Sequence, residues 1–238
     1  MNAALVTVGD ELLAGDTANT NATWLSRQLT ERGVTVTRVL TVPDEGEVIA
    51  DGVRRYSDAF DAVIVTGGLG GTPDDITIES VARAFDRELV ENELARADVE
   101  KHLESIAGKY DELNVDIAAE AKLPEGAQPL LNRAGMSPGC VLENVYVLPG
   151  IPSEMKRMFE DIVEEFNGDE HARFLYTNEP EANLIERLHT VESRFAVRVG
   201  CYPDREAGHN RLKIRGSDED ALAEAEEWLA ERIVHVEE

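Results

Sequence analysis

One stretch of the sequence, residues 61–77, combines a glycine-rich turn with two adjacent aspartates. It reads DAVIVTGGLGGTPDDIT, and its glycines are Gly67, Gly68, Gly70 and Gly71. The β-branched run before them predicts a buried strand, and the apolar spacing from Ile76 predicts a helix capped by Thr72 or Asp74. Glycine lets backbone N–H groups approach a phosphate without a Cβ clash, and a helix start adds unpaired donors. The pattern therefore predicts an anion-binding pocket.

Asp74 and Asp75 need a separate explanation, because carboxylates repel a bare phosphate. They fit a divalent cation that bridges to the phosphate, or a general base. A P-loop is excluded because Thr72 and Pro73, rather than lysine, follow Gly71, and the glycine spacing does not fit GxGxxG. The alternative is a strand-to-helix turn with solvated caps. Four glycines with an acidic pair favour a ligand site.

Two other predicted strands also lead into acidic residues. Ala3–Val8 is followed by Gly9 and Asp10, and Val34–Val42 is followed shortly by Asp44. In open parallel sheets, ligands bind beyond the carboxyl ends of the strands. Taken alone, Asp10 is equally a solvated loop residue, and Asp44 is more simply the N-cap of the helix that follows.

Strand and helix signals alternate up to about residue 167, which predicts a mostly parallel sheet. Residues 140–148 read as a β-hairpin, and the proline-containing turn after them leads into a helix that Ser153 caps. The backbone at Gly150 and Ser153 could close the phosphate pocket. An earlier helix, near residues 91–107, is expected to bury Leu94 on its apolar side.

Beyond residue 168 the order of elements becomes strand, helix, strand, strand, helix. Residues 169–238 contain 17 acidic and nine basic side chains and no GXXG clamp. Both features argue against RNA binding. We interpret this part as a spacer or a dimerisation module.

The composition is strongly acidic, with a net charge of −25 and only five lysines among 23 basic residues. This pattern is typical of adaptation to high salt, where self-repulsion is screened; the alternative is an acidic protein of no special origin. The charge argues against nucleic acid as a partner. Cys140 and Cys201 are expected to be buried free thiols. No signal or membrane segment is recognisable, so we expect a cytoplasmic protein with no membrane partner.

Five motifs resemble the molybdopterin-binding (MoaB/Mog) domain and its CinA branch, the competence/damage-inducible protein A family. They are Gly9–Leu12, Thr20-Asn21, Val42–Asp44, Thr66–Thr77 and, for the CinA branch, Leu148–Met155. The resemblance implies a three-layer α/β/α MoaB/Mog-like domain with a mostly parallel sheet over residues 1–168. It also implies a small α+β KH-type subdomain over residues 169–238. The chain has no room for the deamidase domain of longer CinA proteins, so we expect no amidase activity.

The resemblance also implies which residues form the site. Two aspartates near the ligand phosphates and Mg²⁺ correspond to Asp44 and Asp75, the expected catalytic residues. Mg²⁺ or another divalent cation would be held by Asp10, Asp74 and Asp75. The expected substrate- or phosphate-binding residues are Gly9, Asn21, Gly67, Gly68, Gly70, Gly71, Thr72, Gly150 and Ser153. Gly71 replaces a proline that is usual in the CinA branch, which loosens the loop.

Three functions are compatible with these residues. The first, which the CinA-like motif favours, is a metal-dependent hydrolase of the pyrophosphate bond in a nucleotide such as ADP-ribose. The second is a molybdopterin-binding adenylyltransferase of molybdenum cofactor biosynthesis. The third is a non-catalytic binder of a small-molecule pterin or nucleotide. A homo-oligomer, either dimer or trimer, would be ordinary for this architecture.

Overall fold

The computed structural model describes residues 1–107, 114–204 and 208–236. The chain divides into two compact units, which are described separately below. The first comprises Met1–Leu29 and Val34–Asn167, and the second comprises Thr30–Gly33 and the chain from Gly168 onward. Within the described residues, no helix is long and apolar enough to cross a membrane.

The first unit is built mainly from alternating strands and helices. In chain order they are β1 (Asn2–Val8), α1 (Asp10–Ala14), α2 (Thr20–Glu31), β2 (Thr35–Val42), α3 (Gly46–Ser57), β3 (Ala62–Thr66), α4 (Thr77–Ala84), β4 (Leu89–Glu91), α5 (Glu93–Ile106), α6 (Ile117–Glu120), β5 (Lys122–Pro124), β6 (Gln128–Leu130), β7 (Gly139–Leu142), β8 (Val145–Leu148) and α7 (Pro152–Ile162). A 3₁₀ turn, Val163–Glu165, follows α7.

A six-stranded sheet with the order β2-β1-β3-β8-β7-β6 forms the centre of this unit. The pairs β1–β2, β1–β3 and β3–β8 are parallel, whereas β7 and β6 are antiparallel additions. The predicted hairpin over residues 140–148 is the antiparallel β7–β8 pair. As a result, β2, β1, β3 and β8 all end at the same edge of the sheet.

Side chains alternate between the two faces of this sheet, and both faces are covered by helices. On one face, Val6 packs in a cluster with Ile49 and Val53 of α3 and Val81 of α4. On the other face, Leu5 belongs to a cluster built from α2 and α7. The layers are therefore helix, sheet, helix, and the predicted α/β fold class is confirmed.

Two predictions about buried residues were wrong. Leu94 is 62% exposed, because α5 begins at Glu93 and buries Ala95 and Val99 instead. Cys201 is only half-buried, whereas Cys140 is fully buried, and burial raises the pKa of the Cys140 thiol to about 12. A thiol with so high a pKa is protonated and unreactive at neutral pH.

The second unit contains the predicted order of strands and helices. Its elements are β9 (His171–Thr177), α8 (Glu181–Phe195), β10 (Arg198–Asp204), β11 (His209–Gly216) and α9 (Glu219–Ala230). The strands form an antiparallel sheet in the order β10-β11-β9. Leu175, Leu212 and Ile214 on one side of the sheet pack with the apolar residues of both helices.

Candidate functional site

A cavity of about 520 Å³ opens at the carboxyl ends of the four parallel strands. Gly9 follows β1, Asp44 follows β2, Gly67 follows β3 and Gly150 follows β8, and all four residues line the cavity. The volume lies within the roughly 300–1,000 Å³ typical of small-molecule sites. The sheet therefore places the sequence motifs around one pocket.

The turn after β3 requires glycine at its first two positions. Gly67 has φ +102° and Gly68 has φ +65°, backbone conformations that residues with a Cβ rarely adopt. A Cβ on Gly67 would lie 2.2 Å from the Val8 carbonyl oxygen, and one on Gly68 would lie 2.4 Å from the Thr77 hydroxyl. The backbone therefore passes too close to β1 and α4 for any side chain.

The same turn presents bare backbone to the cavity. The N–H groups of residues 68–71 donate to no acceptor in the part of the chain that the structure describes. The Leu69 side chain is buried in the core, which anchors the turn, and the Thr77 N–H donates to the Gly68 carbonyl at 3.1 Å. Because all four residues line the cavity, their amides are suited to bind an anion.

Asp75 holds the end of this turn in place rather than capping a helix. One of its carboxylate oxygens, Oδ2, accepts hydrogen bonds from the Thr72 backbone N–H at 3.1 Å and from the Thr72 hydroxyl at 2.5 Å. The predicted cap by Thr72 or Asp74 was wrong, since α4 begins at Thr77 after Ile76 and has no side-chain cap. The Thr72 hydroxyl thus donates directly to Asp75. Thr72 also affects the neighbouring carboxyl: hydrogen bonding from the Thr72 side chain and from the Asp74 backbone lowers the pKa of Asp74.

Asp44 links the ends of two strands. Its Oδ2 accepts a hydrogen bond from the Asp10 backbone N–H at 2.8 Å, at the start of α1. The alternative that Asp44 caps the next helix was wrong, because Glu45 precedes α3 and makes no side-chain cap. The Asp10 side chain does not line the cavity, so the structure assigns Asp10 a backbone role there.

A side-chain amide joins the turn after β8 to α2. Asn21 Nδ2 donates to the Gly150 carbonyl at 2.8 Å, and both residues line the cavity. The prediction that Ser153 caps α7 was wrong: the helix begins at Pro152, after Ile151, and has no side-chain cap. Ser153 is exposed and is not part of the cavity wall.

Most of the predicted site residues lie on the cavity wall. Those that do are Gly9, Asn21, Asp44, Gly67, Gly68, Gly70, Gly71, Asp74, Asp75 and Gly150. Asp10, Thr72 and Ser153 do not; Thr72 lines a second cavity of about 210 Å³. The glycine turn borders both cavities, because residues 68–71 line each of them.

Asn19 was not predicted and also belongs to the wall. Its Oδ1 accepts from the Ala22 N–H, and its Nδ2 donates to the Thr7 hydroxyl at 2.9 Å. It therefore caps α2 and ties the preceding loop to β1. The signal in the sequence was an asparagine just before an amphipathic helix.

Asn132 is a second residue that the sequence did not reveal. It is 2% exposed, its Oδ1 accepts from the Gly135 N–H, and its Nδ2 donates to the Ser137 carbonyl and to Glu154 Oε2. Ser137 and Glu154 both line the cavity. No local pattern pairs residues 132 and 154, since their contact depends on the tertiary fold.

Glu120 lies behind the glycine turn, in the second cavity. A Cβ on Gly71 would be 2.7 Å from Glu120 Oε1, and the Ser137 hydroxyl donates to Oε2 at 3.1 Å. Burial, together with the nearby carboxylates of Asp75, Asp116 and Glu79, raises the pKa of Glu120 above 4.5, and the Ser137 bond opposes this rise. The ionised form is thus less favourable in the folded protein.

Glu120→Gln should raise the free energy of unfolding at pH 7 by up to ~1 kcal/mol, the order of one partly exposed charge interaction. The pKa of Glu120 is higher in the folded protein than in the unfolded chain. Protonated Glu120 therefore stabilises the folded protein at pH values below the unfolded pKa, and this stabilisation is lost as the pH rises through the folded pKa. Glutamine cannot ionise, so the substitution should remove this pH-dependent loss while its side-chain oxygen still accepts from Ser137. Urea unfolding from pH 4 to pH 8 tests this, with exposed Glu125→Gln as control; an unchanged pH profile would exclude the effect.

Among the described residues, the cavity wall carries no cluster of three or more side chains ready to hold a metal ion. Within residues 1–107, 114–204 and 208–236, no group of three or more His, Cys, Asp or Glu side chains is arranged to hold a metal ion. Asp75 Oδ2 is already bonded to Thr72, and Asp44 Oδ2 to the Asp10 amide. The geometry therefore does not support the predicted ligand set of Asp10, Asp74 and Asp75.

The fold and the pocket define a class: three-layer α/β proteins with a cavity beyond the carboxyl ends of parallel strands, the place where open α/β sheets bind ligands. Residues 4–168 match the family described as a probable molybdopterin binding domain. Because the match covers more than half of the chain, the protein belongs to that family. Residues 169–236 match the family described as the middle domain of FAD synthase.

The chain is also similar to individual proteins. The chain is 35% identical over 235 residues to a protein of Archaeoglobus fulgidus, with 98% of each chain covered, and 35% identical to one of Pyrococcus furiosus, with 96% of each covered. Among solved structures it is similar to CinA of Thermoplasma acidophilum, whose function is described as unknown. That match has 33% identity and a TM-score of 0.62, and covers 69% of this chain and 97% of the other. The KH-type assignment stays a prediction.

Proposed function

We propose that the cavity binds the phosphate of a pterin or a nucleotide, and that the protein acts first as a binder of such a ligand. The observation that supports this most is that residues 68–71 line the cavity while their four consecutive N–H groups have no acceptor among the described residues. Such a row of amides binds anions without a cation. Asn21, Gly150 and Glu154 also line the cavity, and in this proposal they contact the rest of the ligand.

Within this proposal, molybdopterin would bind through its phosphate end. A Cβ on Gly67 would meet the Val8 carbonyl at 2.2 Å and one on Gly68 would meet the Thr77 hydroxyl at 2.4 Å, so these glycines let the turn pack against β1 and α4 without a side chain. The residues that would hold the phosphate are Gly68, Gly70 and Gly71. When bound, the pterin would supply the dithiolene that ligates molybdenum. Membership in a molybdopterin binding domain family supports this ligand class.

Hydrolysis of a nucleotide pyrophosphate is the second candidate. The specific observation in its favour is that Asp44, Asp74 and Asp75 line the same cavity as the amides. A carboxylate there could accept the proton of a water that attacks phosphorus, while the amides stabilise the developing negative charge. The products from ADP-ribose would be AMP and ribose 5-phosphate.

We also propose a domain boundary after residue 168, a homo-oligomeric state, a cytoplasmic location and adaptation of the acidic surface to high salt. Each follows from the sequence and has its own measurement, such as sedimentation for the oligomer and stability against KCl for salt adaptation.

Calorimetric titration tests the binding function. We expect AMP, ADP-ribose, FAD or molybdopterin to bind in EDTA, and the corresponding dephosphorylated nucleoside to bind at least ~10-fold more weakly, since a charge-assisted hydrogen bond is worth roughly 1.5–3 kcal/mol. Equal affinity for adenosine and AMP would contradict the phosphate role of the turn. Absence of binding for the whole panel would contradict the proposed function.

Asp75→Asn separates the two candidates. Asparagine retains an oxygen that accepts from Thr72, so the free energy of unfolding should change by less than ~1 kcal/mol. Binding in EDTA should be unchanged or tighter, because a negative charge near the phosphate is removed. If the protein is a hydrolase, AMP release from ADP-ribose should fall by about 100-fold or more, the contribution of a general base.

Asp51→Asn is the matched control, because Asp51 is an exposed aspartate on α3 outside the cavity. It should leave stability, binding and turnover unchanged. Full turnover by Asp75→Asn would show that Asp75 is not a catalytic residue.

A further inference from the structure

In the second unit, the side of the sheet that faces away from the helices carries aromatic and cationic side chains together. Leu175 and Leu212 face the helices, so the alternating residues Phe174, Arg211 and Lys213 face away from them. The Arg211 guanidinium carbon lies 5.8 Å from the ring centroid of Phe174, and Lys213 Nζ lies 5.7 Å from the same centroid. We call this side the ring-and-cation face.

A second exposed ring extends the face across the sheet. Tyr202 is paired with Arg211 in the β10–β11 register, and the guanidinium carbon lies 5.7 Å from its ring centroid. Phe174 is 43% exposed and Tyr202 is 45% exposed. Two aromatic rings therefore flank one arginine on an accessible surface.

The three cations of β11 on this face have no ion-pair partner among the residues that the structure describes. Arg211, Lys213 and Arg215 have no carboxylate within 4 Å in that part of the chain. Partial burial and the neighbouring Arg215 and Arg211 lower the pKa of Lys213, whereas the more distant Glu170 carboxylate raises it. The chain as a whole has a net charge of −25, so a group of unpaired positive charges is a local exception.

We propose that the ring-and-cation face binds single-stranded nucleic acid. Cations at alternate positions of β11, about 6.8 Å apart, can follow a phosphate backbone, and exposed rings can stack on bases. An acidic protein surface would satisfy the cations but would leave Phe174 and Tyr202 without a partner of matching shape. A strand of bases and phosphates satisfies both.

The acidic composition of this unit does not oppose the proposal, because its charges are segregated. The acidic residues of α9 lie on a helix that packs against the other side of the sheet. Arg198, at the edge of the face, pairs with Glu170, and the three central cations remain unpaired among the described residues. Counting charges over residues 169–238 conceals this separation.

Fluorescence anisotropy with the full chain and labelled oligouridylate or oligodeoxythymidylate of about 12 nucleotides tests the proposal. We expect Phe174→Leu to weaken binding roughly 5- to 100-fold, the range for loss of one stacked base. Lys213→Gln should make the slope of log K against log salt shallower by about 0.7, the value for one phosphate contact on a single strand. A duplex of equal length should bind more weakly, because its bases are not available to stack.

Arg173→Gln is the matched control, since Arg173 is next to Phe174 in β9 but pairs with Glu226 of α9. It should change neither the affinity nor the salt slope, and circular dichroism should show that every variant is folded. Absence of binding, or equal losses in Arg173→Gln and Phe174→Leu, would overturn the proposal. So would equal competition by polyglutamate, or self-association in sedimentation that Phe174→Leu abolishes, which would assign the face to a second copy of the chain.

Discussion

Gly67→Ala should lower the free energy of unfolding by about 3–5 kcal/mol and abolish ligand binding in the fraction that folds. Two costs add at this residue. An L-residue at φ +102° costs roughly 1–2 kcal/mol, and the new Cβ would lie 2.2 Å from the Val8 carbonyl oxygen, which forces β1 and β3 to separate. Separation of these strand ends displaces the amides of residues 68–71. Urea unfolding and calorimetry with AMP measure the two effects.

Gly126→Ala is the matched control for this prediction. Gly126 also has positive φ, +84°, but a Cβ there would meet nothing within 4 Å. It should cost only the backbone conformation, roughly 1–2 kcal/mol, and leave ligand affinity unchanged. If both substitutions cost the same and Gly67→Ala still binds AMP, the close approach between the turn and β1 has no functional importance.

Asn132→Ala should lower the free energy of unfolding by about 3 kcal/mol and weaken ligand binding at least ~10-fold. Alanine leaves the Ser137 carbonyl and the Glu154 carboxylate without the amide that Asn132 provides, and the Gly135 N–H keeps only its longer bond to the backbone carbonyl of residue 132, at 3.3 Å. Buried unpaired groups cost roughly 1–3 kcal/mol each. Because Ser137 and Glu154 lie on the cavity wall, their release should change the site itself.

Asn144→Ala separates stability from binding. Asn144 also makes several hydrogen bonds, to the Ser57 and Phe60 carbonyls and with the Ser57 hydroxyl, but none of these residues lines the cavity. We expect a comparable loss of stability with unchanged affinity for AMP. An equal loss of affinity in both variants would mean that Asn132 acts only through global stability.

The sequence allowed the ligand-facing edge of the fold to be predicted because its signals are local. Glycines at 67 and 68 follow a β-branched run, and β-branched runs also precede Gly9 and Asp44. Parallel pairing then brings these strand ends together, as the register of β1 with β2 and β3 shows. Position on the cavity wall could therefore be inferred for most of the residues proposed.

The partners of the polar side chains could not be predicted, because they depend on tertiary contacts. Taken alone, Asp44 was more simply the N-cap of the helix that follows it, but its side chain bonds to the Asp10 amide, 34 residues away. Asn132 contacts Glu154 across 22 residues, so nothing near either residue signals the pair. Leu94 has the spacing of a buried residue, yet α5 turns it to solvent at its first turn.

Charge distribution shows a different limit of sequence analysis. The acidic excess over residues 169–238 correctly describes the average of that part of the chain. The alternation of β11 places Arg211, Lys213 and Arg215 on one side, and this becomes meaningful only when β9 and β10 supply Phe174 and Tyr202 beside them. Which side chains share a surface depends on how the strands pair, and the residue composition does not contain that information.

A crystal structure of the protein soaked with AMP or ADP-ribose in EDTA tests the central claim most directly. We predict a phosphate group within hydrogen-bonding distance, about 2.7–3.2 Å, of at least two backbone nitrogens of residues 68–71. A phosphate bound elsewhere, or a cavity that stays free of ligand at saturating concentration, would contradict the account.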